Sequence, residues 1–222
     1  MKRLVIDERV RELVRMAAEE DVGTGDRTVQ LAIPTRTRGT GIIVARCDGV
    51  ICGTVLIKEI LAKYGRASCR LMVKDGAKVK AGQVVARASG SVRGILSAER
   101  VVLNFLGRMS GVATLTRRYV DAVKGTRAVV CDTRKTVPGW RGLDKYAVRC
   151  GGGVNHRMGL YDGVMLKDNH LAALRERLGE MGLAELTRRV RRELPGKIML
   201  WVEVDTLEQL GAVMGGGGGG AD

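Results

Sequence analysis

Aromatic side chains are scarce: Phe, Trp and Tyr together make up 3% of the 222 residues, and Phe occurs once. A protein that grips single-stranded nucleic acid by stacking needs aromatic platforms, and this composition argues against one. Histidine occurs only twice, and no Ser/His/Asp or Cys/His arrangement can be assembled from the motifs. The five cysteines are an odd number without a CxxC pair, so they do not make a disulfide framework and read as buried or incidental thiols. No apolar run approaches the ~18 residues of a membrane span. The first residues, MKRLVIDERVRELV, lack the apolar stretch of a secretory leader. The expected setting is cytoplasmic, with no membrane partner.

What the chain has is an apolar fraction of 45% and a large excess of positive charge. The first is globular composition, and the length suits one large domain or two small ones. The net charge is +14, and 27 of the 38 cations are Arg. Residues 1–97 carry 18 basic and 10 acidic side chains, residues 98–170 carry 13 and 6, and residues 171–222 carry 7 and 8. Arginine offers a planar fork that matches carboxylate and phosphate in pairs of hydrogen bonds. The charge therefore asks which anion is held: a small polyanionic substrate or nucleic acid.

Residues 7–21 place Val10, Leu13, Val14 and Ala17 at helical spacing. From Gly41 the pattern turns to short β-rich runs broken by glycine: IIVAR, GVICGTVLIKEIL and CRLMVKDGAKVKAGQVVARASGSVRGIL. Within the last, DGAKVKAGQVVARASG has the spaced glycines of a lipoyl-type turn, yet its lysines lack that setting, and a β-hairpin is the expectation. At Ser97 the pattern becomes a long amphipathic helix, with Ser97 as its N-cap and Arg100 in the first turn, where the helix dipole mildly disfavours a cation. A domain boundary is placed here, dividing 1–97 from 98–222. Strand-like runs RAVVCDT, DGVMLKDNH and KIMLWVEVD then alternate with helical segments, the signature of parallel α/β structure. The glycine run 215–220 reads as a flexible stretch.

Charged groups recur where these strands end. Asp132-Thr133-Arg134-Lys135-Thr136 follows an apolar run. Gly151-Gly152-Gly153-Val154-Asn155-His156-Arg157 sets one of the two histidines behind a triple glycine, and Leu166-Lys167-Asp168-Asn169-His170 holds the other. Trp201-Val202-Glu203-Val204-Asp205 puts Glu203 and Asp205 on one strand face by the period of two. Ligand sites of parallel α/β folds form at the C-terminal ends of strands. Taken singly each cluster is weak, since a charge ending a strand is usually just surface. Their recurrence at successive strand ends predicts a cationic mouth, with Glu203 and Asp205 able to hold a metal or sugar hydroxyls.

These same segments, SAERVVLNFLGRMSGVAT, CDTRKTVPGWRGLDKYAVRCGGGVNHRMGLYDGVMLKDNHL and VEVDTLEQL, resemble type II quinolinate phosphoribosyltransferase, as do EEDVGTGDRT and GVICGTVL near the start. The resemblance covers nearly the whole chain. It implies an α/β fold in which an N-terminal α/β sandwich domain is followed by an incomplete α/β barrel. It implies an enzyme that joins quinolinate to 5-phosphoribosyl 1-pyrophosphate (PRPP), releasing nicotinate mononucleotide, pyrophosphate and CO2 in NAD biosynthesis, with Mg²⁺ accompanying PRPP. It implies a homodimer, or a higher oligomer of dimers, in which each N-terminal domain covers its partner's barrel. By motif, Arg134, His156, Arg157 and Lys167 fall on substrate-pocket positions. Lys135 falls on a catalytic position on the PRPP side, and Arg100 on the arginine that reaches into the partner's site. Glu203 falls on the catalytic carboxylate near the ribose and the metal.

The chemistry suits these residue types. Two adjacent carboxylates favour arginine forks, and displacement at an anomeric carbon needs placement and charge stabilisation more than a nucleophile. The family continues past VEVDTLEQL with a strand ending in Asp, a Ser-Gly-Gly phosphate loop and a closing segment. The barrel is therefore expected to be truncated at the C-terminus, the natural protein to extend beyond Asp222, and the 222 residues alone to hold PRPP poorly. The alternatives are a ModD-type paralogue of the same fold, a catalytically silent homologue, and, more remotely, a basic nucleic-acid-binding protein.

Overall fold

A computed structural model describes residues 3–178 and 182–214. The glycine run 215–220 and part of the predicted helical stretch 171–194 lie outside the described residues. The chain divides into two compact units, Met1–His156 and Arg157–Asp222.

The first unit opens with α1 (Glu8–Val22), whose N-cap Asp7 accepts a hydrogen bond from the Val10 N–H at 3.0 Å. It buries Val10, Val14 and Ala18, while Leu13 and Ala17 of the expected stripe are partly buried beside them and Ala18 is not among the expected residues. After α2 (Arg27–Ala32) come β1 (Arg38–Val44), β2 (Gly49–Val50), α3 (Thr54–Lys63), β3 (Ala67–Leu71), β4 (Lys78–Val79) and β5 (Val84–Ser91). Strands β1, β5 and β3 form an antiparallel sheet with β5 in the centre, and β2 pairs with β4 in a separate antiparallel ribbon.

Two β-rich expectations change here. TVLIKEIL is helical: Leu56, Ile57, Ile60 and Leu61 are buried at spacings of a helix, not a strand. Their β-branched and apolar character alone did not separate the two. The DGAKVKAGQVVARASG segment is not a simple hairpin, because β4 and β5 pair with different partners.

Helix α4 (Val92–Ala122) is 31 residues long and packs on α1, α3 and α5. Its N-cap is Ser91, whose hydroxyl accepts from the Gly94 N–H at 3.3 Å, and not Ser97. Ser97 lies inside the helix and donates to Asp26 Oδ2 at 3.1 Å. Arg100 is therefore in the third turn, and the dipole argument drawn from a first-turn position does not hold. Helix α5 (Arg141–Gly151) completes the unit. The core joins Leu56, Ile57, Ile60, Phe105, Met109, Leu143 and Ala147, with Trp140 stacked on Phe105 at 4.8 Å between ring centres.

RAVVCDT does not form a strand. Val129 is exposed, and the segment contributes one parallel bridge, Cys131 to Val154. In the second unit β6 (Val164–Leu166) and β7 (Leu200–Val202) pair in parallel, with α6 (Asp168–Leu178), α7 (Leu183–Glu193) and α8 (Leu207–Met214) beside them in sequence. Its small core is Leu166, Leu186 and Leu200. Among the described residues no helix is long and apolar enough to cross a membrane.

Candidate active site

The triple glycine combines two close-packing positions with a helix cap between them. A Cβ on Gly151 would lie 2.5 Å from the Ala113 carbonyl oxygen of α4, so only glycine lets α5 approach that closely. Gly152 ends α5 in the left-handed conformation at φ +95°, which glycine adopts without strain. A Cβ on Gly153 would meet Val148 at 2.8 Å. The turn so formed brings Val154 beside Cys131 and delivers Asn155 and His156 to Asp132.

Asp132 is the hub of a buried network. Lys145, 1% exposed, gives its Nζ to Asp132 Oδ1 and donates to the His156 carbonyl at 2.9 Å. The Asn155 amide bridges Asp132 Oδ2 and the Lys145 carbonyl, at 2.5 and 2.8 Å. The His156 N–H donates to Asp132 Oδ1 at 2.9 Å. A buried lysine is tolerated only when paired and hydrogen-bonded, and here every partner belongs to one of the motifs. Sequence reasoning gave Lys145 no role. No local signal marked it: only the structure shows that residues 143–147 are all buried and leave a lysine among them no solvent face.

Asp132 leads into the loop with Arg134 and Lys135. The Lys135 N–H donates to Thr133 Oγ1 at 3.0 Å, and Thr136 N–H to the Arg134 carbonyl at 3.0 Å, which shapes a tight turn. Lys135 is exposed and Arg134 half-buried. The Arg134 Nε is buried without a hydrogen-bond partner, an arginine fork with donor capacity to spare. Arg100 is exposed on α4, flanked on its face by Leu96 and Leu103.

In the second unit Arg157 is 8% exposed, and its Nη1 donates to the Gly163 carbonyl at 2.9 Å. Lys167, directly after β6, pairs with Glu203, directly after β7, at 3.3 Å, and both side chains stay partly in water. The predicted face shared by Glu203 and Asp205 is not a strand face, because β7 ends at Val202. The Glu203 N–H nevertheless donates to the Leu166 carbonyl at 2.9 Å, which sets it across from Lys167. The Lys167 N–H donates to His170 Nδ1 at 3.0 Å, so that histidine braces the loop.

The structure thus sets cationic side chains on loops of a mixed α/β protein, Arg134 and Lys135 in the first unit and Lys167 after β6 in the second. Comparison with known proteins narrows the class. The family model of the quinolinate phosphoribosyl transferase N-terminal domain matches residues 26–110, and that of the C-terminal domain residues 112–221. The chain is 44% identical over 208 residues to nicotinate-nucleotide pyrophosphorylase (carboxylating) of Mycobacterium leprae (strain TN), covering 92% of this chain and 71% of that one. It is 43% identical over 192 residues to the probable enzyme of that name from Bacillus subtilis (strain 168), covering 86% of this chain but 64% of that one. The chain thus spans less than two thirds of the Bacillus protein. Among solved structures, NadC from Streptococcus pyogenes matches with a TM-score of 0.87 at 34% identity, over 98% of this chain and 75% of that one. Nicotinate-nucleotide pyrophosphorylase from Francisella tularensis matches at 0.85 and 33%, over 97% and 75%. The chain belongs to the quinolinate phosphoribosyltransferase family, and its architecture is that family's α/β fold.

Proposed function

We propose that this protein transfers the phosphoribosyl group of PRPP to the ring nitrogen of quinolinate, releasing pyrophosphate and CO2 and leaving nicotinate mononucleotide for NAD biosynthesis. The observation that carries this reading is that DTRKT, GGGVNHR and KDNH occur in the family's order within a chain matched by both family domains. In this reading residues 1–97 form the sandwich domain and residues 98–222 the transferase domain, with α4 leading from one to the other.

Arg134 and Arg157 take the two adjacent carboxylates, helped by Lys167 and His156. What supports that assignment is the family match of the segments that carry them and the preference of paired carboxylates for guanidinium forks. Lys135, exposed on its loop, takes the pyrophosphate side. Glu203 lies near the ribose hydroxyls and spreads positive charge as the glycosidic bond breaks. Loss of CO2 leaves electrons beside a ring nitrogen that the new bond has made cationic, so the protein need not supply an electron sink. Glu203 and the nearby Asp205 are exposed oxygen donors of the kind a hard cation that keeps its waters accepts. Mg²⁺ held there would neutralise charge on the leaving pyrophosphate.

The reading includes a homodimer in the cytoplasm, with Arg100 completing the partner's dicarboxylate clamp. Leu96, Leu115 and Tyr119 on α4 and Ile42 on β1 are large apolar side chains left in water, as suits a covered subunit face. The five cysteines are free thiols, in keeping with a reducing compartment.

The test is turnover of quinolinate with PRPP and Mg²⁺, following nicotinate mononucleotide and pyrophosphate. Saturable formation of both in equal amounts supports the proposal. Tight binding of quinolinate without turnover would favour the silent homologue. Mixing Arg100→Ala with Arg157→Ala chains should restore part of the activity through hybrid dimers, and no recovery despite proven subunit exchange would refute the shared site.

A further inference from the structure

Away from the anion-handling loops, the first unit holds a second group of ligating side chains. The Sγ atoms of Cys52 and Cys150 and a carboxylate oxygen of Asp75 all lie within 4.8 Å of one another. They come from three segments: Cys52 between β2 and α3, Asp75 in the turn between β3 and β4, and Cys150 in the last turn of α5. Both cysteines are buried, at 0% and 3% exposure. We propose that Cys52, Asp75 and Cys150 form a binding site for a thiophilic divalent metal ion of the zinc class.

Three arguments support it. The first is reach. In tetrahedral zinc the sulfur–sulfur edge is about 3.8 Å, from Zn–S bonds of about 2.3 Å, so shifts of about 1 Å or less close the triangle onto an ion. The second is orientation. Asp75 Oδ1 accepts from the Thr54 N–H and Oδ2 from the Tyr146 hydroxyl, each at 2.8 Å. The peptide of Cys52 is clasped by Ser110, whose Oγ accepts from the Cys52 N–H at 3.0 Å and donates to the Cys52 carbonyl at 3.3 Å. Partners of this kind fix a metal ligand before the ion arrives. The third is charge. Asp75 has no ion pair among the described residues, and the two thiols beside it become anionic when they bind metal. Metal binding takes both cysteines as thiolates and releases their protons, so the ion neutralises the charge that its own binding creates. Asp75 lines a pocket of about 690 Å³ together with Arg3, Thr54, Lys58, Lys74 and Tyr146, so the carboxylate edge of the cluster faces it, while neither cysteine lines it.

The experiment titrates Co²⁺ into the full chain, reduced with a phosphine that does not chelate, and follows thiolate-to-cobalt charge-transfer and tetrahedral d–d absorption. One Co²⁺ per chain, displaced by Zn²⁺, is expected. Replacing the three cysteines outside the cluster, Cys47→Ser, Cys69→Ser and Cys131→Ser together, should leave the spectrum unchanged. Cys150→Ser should abolish the charge-transfer band. Tyr146→Phe, which keeps the fold and removes one brace on Asp75, should weaken binding by about tenfold or more. Absence of the charge-transfer band in the folded triple variant would overturn the proposal. So would its persistence when Cys52 and Cys150 are both serine.

Discussion

The molecule uses two lysine–carboxylate pairs in opposite ways. In the first unit Lys145 and Asp132 are buried, at 2% and 7% side-chain exposure, and the amide of Asn155 and the backbone of His156 satisfy their remaining hydrogen-bonding capacity. In the second unit Lys167 and Glu203 meet at 3.3 Å with 40% and 55% of their side chains in water. The first pair cannot exchange partners without leaving a buried charge, so its work is to hold the His156 loop in place. The second is solvated on both sides and can release either member to a ligand. Burial, more than the charges themselves, separates scaffold from candidate chemistry.

Breaking the buried pair should have the largest effect. Lys145→Ala leaves Asp132 charged without its cation, and loss of one partner of a buried pair costs about 3–5 kcal/mol. Chemical denaturation should show that loss as a lower midpoint. Replacing both partners, Lys145→Met with Asp132→Leu, should recover part of the stability but not the placement of His156, because the bond from Asp132 to the His156 N–H goes with it. A Lys145→Ala protein of unchanged stability would show that the network is not the scaffold described here.

Arg157→Ala tests the ligand side. A hydrogen bond to a charged group contributes ~1.5–3 kcal/mol, so quinolinate affinity should fall at least tenfold by calorimetric titration. Arg157→Lys should rescue little, since an ammonium cannot donate a planar pair of bonds. Gly151→Ala reaches the scaffold from another direction. The new Cβ meets the Ala113 carbonyl oxygen at 2.5 Å, and overpacking of this kind costs about 1–3 kcal/mol. Thermal unfolding should record it as a drop of several degrees.

The same contrast explains what could be read in advance. Arg134, Lys135, Arg157, Lys167 and Glu203 announce themselves as charges beside apolar runs, and their motifs are local in the chain. Lys145 does not, because its meaning lies in Asp132, thirteen residues away, and in a helix buried on most sides. The helix at 54–63 was hidden by Thr54, Val55, Ile57 and Ile60, whose β preference masks the i, i+4 spacing of its buried residues. The start of α4 was misplaced by six residues because both Ser91 and Ser97 look like caps. Only the hydrogen bond from Gly94 to Ser91, and the engagement of Ser97 with Asp26, tell them apart. The run before Asp132 has strand-like composition, yet it makes a single bridge and leaves Val129 in water.

The smallest expected change in stability is the most discriminating. An exposed ion pair contributes about 0–1 kcal/mol, because water screens it and two long side chains lose freedom in forming it. Glu203→Gln and Lys167→Met should therefore leave the denaturation midpoint almost where it was, and a double-mutant cycle between them should return a coupling within that range. Their effect on turnover should be out of proportion to this. Gln keeps the size of Glu203 but removes the charge that would stabilise a developing ribosyl cation and hold Mg²⁺, so kcat should fall at least a hundredfold, about 2.7 kcal/mol at 1.36 kcal/mol per decade. Quinolinate affinity should change little in Glu203→Gln and fall in Lys167→Met. Parallel losses of stability and turnover in Glu203→Gln would instead make the exposed pair a structural clasp, and the contrast with Lys145 and Asp132 would disappear.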